Sequence, residues 1–244
     1  KSRLPRRGGR LFAWARLVGV HDPTRIPSIV RALERTWEGQ PDLSLGQLIG
    51  VLQNRGLRWG TTDDEAVALL AAMEREHPSL IDATSGPHTI TTAAPPHLVT
   101  IANGFVVVRS GADPERMPAV WRWSEMRKTG PGLPLVVADA DGVEHRLGVV
   151  SLVTRLGEPE ASIRREQTEV GARRWLVQFD DGARAVVGQA IRIWRVDGRE
   201  VSSERVAWRE ILRCEPGADM QIAPAGGGEP VSLGLVVRVL LLEG

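Results

Sequence analysis

Tyrosine is absent from this 244-residue chain, and cysteine occurs once, at Cys214. The first absence removes a common phenolic acid–base donor. The second excludes an intrachain disulfide and every zinc site built on two or more cysteines. No apolar run reaches the roughly 18 residues that a membrane-crossing helix needs, so no transmembrane segment is expected. A signal peptide is not expected either, because the apolar stretch from Leu11 to Val18 has no cleavage region behind it. These absences set the expected location as cytoplasmic. Lysine is nearly missing: Lys1 and Lys128 are the two lysines among 31 basic residues, a coding bias that points to a GC-rich bacterial genome.

Recognisable catalytic patterns are missing as well. The glycine clusters lack the strand–loop–helix setting of a phosphate-binding or dinucleotide fingerprint, and Gly226-Gly227-Gly228 reads as a hairpin loop between strands. There is no G-x-S-x-G elbow for a serine nucleophile. His21, His77, His88, His97 and His145 form no i, i+4 pair. Asp139-x-Asp141 with Glu144, and Asp180-Asp181, lie beside glycines and read as turns. Cys214 reads as a core or strand-edge residue rather than an exposed nucleophile. No catalytic residue, metal site or cofactor is therefore assigned.

What is present is ordinary globular composition, 42% hydrophobic and 25% charged, in a chain long enough to bury a core without staples. Its charge is uneven. Residues 1–21 hold six cations (Lys1, Arg3, Arg6, Arg7, Arg10 and Arg16) and no acid, while the remainder carries 25 basic and 30 acidic residues. A basic arm on a mildly acidic body points to an anionic partner, and Lys1, Arg3, Arg6, Arg7 and Arg10 are its candidate anion or nucleic-acid contacts. Within the arm, Leu11 to Val18 has the makings of a short amphipathic segment that carries Trp14.

Three helical stripes follow between residues 22 and 84. Ile26, Ile29, Val30, Leu33 and Trp37 share one face, as do Leu45, Leu48, Ile49 and Leu52, and then Ala66, Leu69, Leu70 and Met73. Pro27 suits a first turn, and Thr62-Asp63-Asp64-Glu65 is a capping box. The three are expected to pack as a bundle. Its charge, 6 basic against 10 acidic residues, is wrong for reading DNA. Arg25-Ile26-Pro27, Trp37, Pro41-Asp42-Leu43 and Leu45-Gly46-Gln47-Leu48-Ile49, followed by an acidic helix, resemble a group of short uncharacterised bacterial helical proteins across residues 25–75. The resemblance implies a compact helical module and carries no activity.

Residues 85–96, rich in Ser, Thr and Pro, read as a linker or edge segment. Beyond them the period shifts to two and turn signals recur, among them Asn103-Gly104, Asp141-Gly142 and Asp197-Gly198. Shifting residues 120–142 by 85 positions aligns Trp123 with Trp208, Glu125 with Glu210 and Pro131-Gly132 with Pro216-Gly217, giving 7 identities in 23 positions. We therefore expect two copies of one small antiparallel β module, at 97–158 and 174–244, joined by a linker at 159–173. The elements "GFVVVRS…VWRWSEMRK" and "AIRIWRV…VAWREILR" weakly resemble pleckstrin-homology-like modules, while the short strand content is similar to SH3-like barrels. Leu147–Leu156 and Leu233–Leu242 read as closing helices or last strands.

The expected fold class is thus α+β, a three-helix bundle followed by two repeated β modules. The expected function is that of a non-catalytic bacterial adaptor acting with protein partners in a multiprotein assembly, with Trp14, Trp121 and Trp194 as candidate partner-binding aromatics. A nucleic-acid-associated factor using the basic arm and the arginines of Arg164-Arg165 and Arg173-Arg174 is the second reading, and an unrecognised enzyme the third.

Overall fold

In the computed structural model, residues 23–244 are described. The basic arm and Trp14 lie outside them. A 3-10 turn at Pro23–Arg25 leads into α1 (Ile26–Glu38), followed by α2 (Leu45–Asn54) and α3 (Asp63–Glu76). Both α2 and α3 begin with a two-way capping box. Ser44 with Gln47, and Thr62 with Glu65, satisfy amide donors that a helix start leaves without partners. Pro27 sits in the first turn of α1.

The three helices share a core built on Ala32, Leu48, Leu52, Leu70 and Met73, with Leu33, Trp37 and Leu69 packed against it. The large residues of the α1 stripe are not its deepest. Ala32 and Thr36 are buried, while Ile26 and Val30 are 50% and 54% exposed. The small pair lets α1 lie close to α3, where Thr36 Oγ1 donates to the Ala32 carbonyl at 2.8 Å and to the Leu70 carbonyl at 3.2 Å. That crossing turns the larger α1 residues outward.

The rest of the chain is β. Its strands are β1 (His88–Ala93), β2 (His97–Ala102), β3 (Phe105–Ser110), β4 (Ala119–Met126), β5 (Pro134–Asp139), β6 (Glu144–Arg155), β7 (Arg165–Glu166), β8 (Arg174–Phe179), β9 (Arg184–Val187), β10 (Ile191–Asp197), β11 (Glu200–Val206), β12 (Trp208–Arg213), β13 (Asp219–Pro224) and β14 (Val231–Glu243). Strands β1 to β6 close into a six-stranded barrel in sequence order, with β6 returning to β1. The others form an eight-stranded sheet of order β11-β10-β9-β8-β14-β13-β12-β7. Helices followed by antiparallel sheets make the chain α+β.

The stretch 85–96 is not a linker. It contains β1, which pairs with both β2 and β6 and closes the barrel. Its threonines hide it from a hydrophobic pattern, yet Thr89 and Thr92 are buried because each hydroxyl meets a carbonyl: Thr89 that of Leu242, Thr92 that of Leu147. The segment 159–173 is likewise part of the second body. It holds β7, and Ile163 and Val170 are buried in the second sheet's core. The apolar runs left open between helix and strand are both strands, the ends of β6 and β14.

The two bodies use the same pairings at matching places. Strand β1 pairs with β2 and β6, and β8 pairs with β9 and β14; β5 lies between β4 and β6, and β13 between β12 and β14. Gly132 N–H donates to the Val150 carbonyl at 2.8 Å and Gly217 N–H to that of Val236 at 2.8 Å. The long strands bend at Gly148 and Gly234, with φ of 103° and 128°. At Gly148 a Cβ would lie 2.8 Å from the Ala93 carbonyl oxygen, so both space and φ demand glycine. The bodies differ at one seam: β3 pairs with β4, whereas the edge of β10 is taken by β11 and that of β12 by β7.

Strand alternation also explains the unbroken valine and leucine runs, which mark strands with both faces covered. Val106 faces the barrel core, while Val107 points outward. Val239 and Leu241 face the second core, while Leu240 and Leu242 point back at the barrel. Val107, Leu176, Leu240 and Leu242 form a buried cluster between the bodies. Leu48 is fully buried in the helical core, so Leu48→Ala should cost about 2–5 kcal/mol in chemical denaturation. Val30→Ala on the outward face should change stability by no more than about 0.5 kcal/mol.

Candidate functional site

The loop from Gly111 to Pro118, between β3 and β4, leaves the barrel and docks on the β10–β11 hairpin. Trp194 of β10 fixes it: its indole N–H donates to the Glu115 carbonyl at 2.6 Å. Arg192 pairs with the Glu115 carboxylate, which also accepts from Ser203 Oγ at 3.3 Å. Arg184 of β9 donates to the Pro118 carbonyl. The hydrogen bond from Arg192 holds the Glu115 carboxyl below the usual carboxylate range, so this lock remains charged through neutral pH.

Beneath the docked loop lies a cleft of about 350 Å³ between barrel and second sheet. Five arginines line it: Arg109 at the end of β3, Arg116 in the docked loop, Arg174 at the start of β8, Arg192 on β10 and Arg205 on β11. Asp113 is the one acid among its lining residues. Arg192 and Arg205 are directly opposite in the β10–β11 register, an arrangement that like charges disfavour. Glu115 sits against Arg192 and relieves part of that repulsion. Arg109 is mostly buried. Its Nη2 lies 2.5 Å from a Glu243 carboxylate oxygen, off the hydrogen-bond axis, and its Nε is enclosed with no partner among the described residues. Arg174 lies over Gly188, where a Cβ would come within 2.6 Å of its Cδ; glycine makes the space for this side chain. Forked, permanently charged donors converging on one concavity hold an oxyanion by charge and by paired hydrogen bonds.

The arginines singled out in sequence are placed differently. Arg165 and Arg173 share Glu160, at 3.1 and 3.8 Å, and Arg165 lies over the Trp175 ring. Of the pair Arg173-Arg174, Arg174 alone reaches the cleft.

Two of the candidate partner-binding tryptophans, Trp194 and Trp121, lie among the described residues. Trp194 is buried and spends its N–H inside the chain. Trp121 is half-buried against the barrel core, its ring 4.8 Å from that of His145 between centroids. Alternation along β4 turns Trp121 and Trp123 to the same inward side, and both indole nitrogens are enclosed. Trp123 is half-buried, whereas Trp208 is fully buried and donates to the Gly188 carbonyl at 3.1 Å.

The acids read as turns do turn work: Asp139 accepts from the Asp141 and Val143 amides and pairs with His145 at 2.8 Å. That pairing holds its carboxyl below the ordinary range. Among the described residues no group of three metal-type ligands occurs, and no helix is long and apolar enough to cross a membrane.

No family model, curated protein or solved structure matches the chain.

Cys214 lies in the second core, where burial, helped by the adjacent Glu215, pushes its thiol up to about 12. Because the thiolate is the reactive form, labelling by a thiol reagent near pH 8 should be about a thousand-fold slower in the folded protein than in denaturant. Rapid labelling of the native protein would show that the thiol reaches solvent.

Proposed function

We propose that the protein is a bacterial interaction protein, an adaptor within a multiprotein assembly. In this reading the helices form a docking bundle and the two β bodies are copies of one small β module. The shared pairing order, the displacement of 85 residues from Trp123 to Trp208, and the matched Gly132 and Gly217 turns support duplication. The copies then run from β1 to β6 and from β8 to β14, one strand earlier in the first copy than the 97–158 boundary.

The observation that carries the adaptor reading is the unspent apolar surface of the helical unit. Trp59, on the loop between α2 and α3, is fully exposed, and Ile26, Val30 and Leu45 are about half exposed. Val30, Leu33, Trp37 and Pro41 line a shallow groove edged by Glu34 and Glu38. Exposed tryptophans and apolar grooves are where binding energy concentrates in protein interfaces. The nucleic-acid reading rests on the six cations of residues 1–21.

The tagged chain, purified from its own cells both with and without nuclease treatment, separates the two readings. We expect a defined set of proteins to co-purify and to fall about thirty-fold or more for a Trp59→Ala, Val30→Glu double variant that keeps its circular dichroism. An unchanged protein set in that variant would contradict the adaptor reading. Co-purifying nucleic acid that disappears on removal of residues 1–10, with binding that falls by a log–log salt slope of about 0.7–0.9 per phosphate contacted, would favour the second reading.

A further inference from the structure

We propose that the cleft between the barrel and the second sheet binds a small phosphate-bearing ligand of nucleotide size. The proposal is independent of the adaptor reading, which rests on the helical unit.

Charge comes first. Five arginines and one acid, Asp113, line the cleft, and two of the arginines are already paired, Arg192 with Glu115 and Arg109 with Glu243. Counting those two acids, a net of about two positive charges remains, which matches a phosphate monoester at neutral pH. Arg116 makes no ion pair among the described residues, and Arg205 has only the longer-range attraction of Glu115, whose closer partner is Arg192. Arg174 spends Nη1 on the carbonyls of Arg173 and Ala172, at 2.8 and 3.4 Å. The ladder fixes the backbone of Arg205 directly opposite that of Arg192. Arginine cannot escape by losing a proton, so this clustering carries a cost that an oxyanion would remove.

Shape comes second. The volume, about 350 Å³, is that of a small-molecule site. Beside the arginines the lining includes Leu98, Val186, Pro118 and Trp194, an apolar wall suited to the flat or hydrocarbon part of a ligand whose phosphates meet the cations. The wall is pre-formed, because the Trp194–Glu115 and Arg184–Pro118 hydrogen bonds hold the loop in place. Binding therefore pays little for ordering.

Polymer binding fits less well. A strand of nucleic acid needs a basic track beyond the contact point, yet residues 159–244 carry 12 basic and 13 acidic residues. The segment that supplies three of the five cleft arginines thus has no net positive charge to extend such a track.

The test is calorimetric titration of the full chain at about 0.15 M salt, with ADP and inorganic pyrophosphate as probes. We expect saturable one-to-one binding of ADP, displaced by pyrophosphate. Arg116→Ala and Arg205→Ala, both at exposed positions, should keep the melting temperature and each weaken ADP about ten-fold or more. Arg205→Lys should retain part of the affinity. Absence of saturable binding of both probes up to millimolar concentration would overturn the proposal. So would ADP binding that the Arg116→Ala, Arg205→Ala double variant leaves unchanged. A single-stranded oligonucleotide or a phosphopeptide that binds through the same arginines more tightly than ADP would also overturn it, by assigning the cleft to a macromolecule.

Discussion

The arrangement of this protein depends on one irregularity at the end of β14. In its pairing with β8, Leu241 faces Trp175 and Glu243 faces Arg174, so the register shifts across Leu242. A bulge frees a carbonyl from the ladder, and a buried carbonyl without a donor is costly. Two hydroxyls of the barrel satisfy it: Thr89 Oγ1 of β1 at 2.5 Å and Thr100 Oγ1 of β2 at 3.2 Å. Around that polar point the seam is apolar, with Val107 of the barrel meeting Leu176, Leu240 and Leu242. Phe105 extends it as a cationic sandwich, with Arg238 of the second sheet 3.8 Å and Arg122 of the barrel 5.3 Å from its ring centroid. Once this face is joined, the β3–β4 loop lies within reach of the β10–β11 hairpin, and the arginine cleft follows.

The same seam accounts for what the amino-acid sequence conveyed and what it withheld. Turns were legible because their chemistry is local. Asn103-Gly104 has φ of 52° and 77°, as a two-residue hairpin requires, and the Thr62–Glu65 capping box is complete. Strand β1 was not legible, because its burial rests on carbonyls of Leu242 and Leu147, far away in the chain. A threonine-rich stretch with no visible acceptor reads as a linker. The α1 stripe had the right period and a misleading phase, since the closest helix contact falls at Ala32 and Thr36 rather than at the large residues.

The site was harder to see. Its arginines run from Arg109 to Arg205, on β3, β8, β10, β11 and a loop, and no spacing rule links them. The sequence signal for an anion was strongest in the first 21 residues, where the cations are contiguous. One clue was available: Arg192 and Arg205 flank the Asp197-Gly198 turn, so hairpin pairing places like charges opposite one another. Tryptophan was ambiguous for a related reason. Trp194 sits among exposed-looking residues of a hairpin and is buried, its N–H taken by the Glu115 carbonyl 79 positions away.

Native-state hydrogen exchange on Leu240→Ala asks whether the two β bodies open as one cooperative unit fused across this seam. Leu240 touches the barrel and is buried, so its truncation should weaken the whole fused unit by about 2–5 kcal/mol. A single unit requires amides in β1–β3 and in β8, β9 and β14 all to exchange faster by the same factor, about thirty-fold or more. Faster exchange confined to β8, β9 and β14, with barrel amides as slow as in the parent protein, would contradict it.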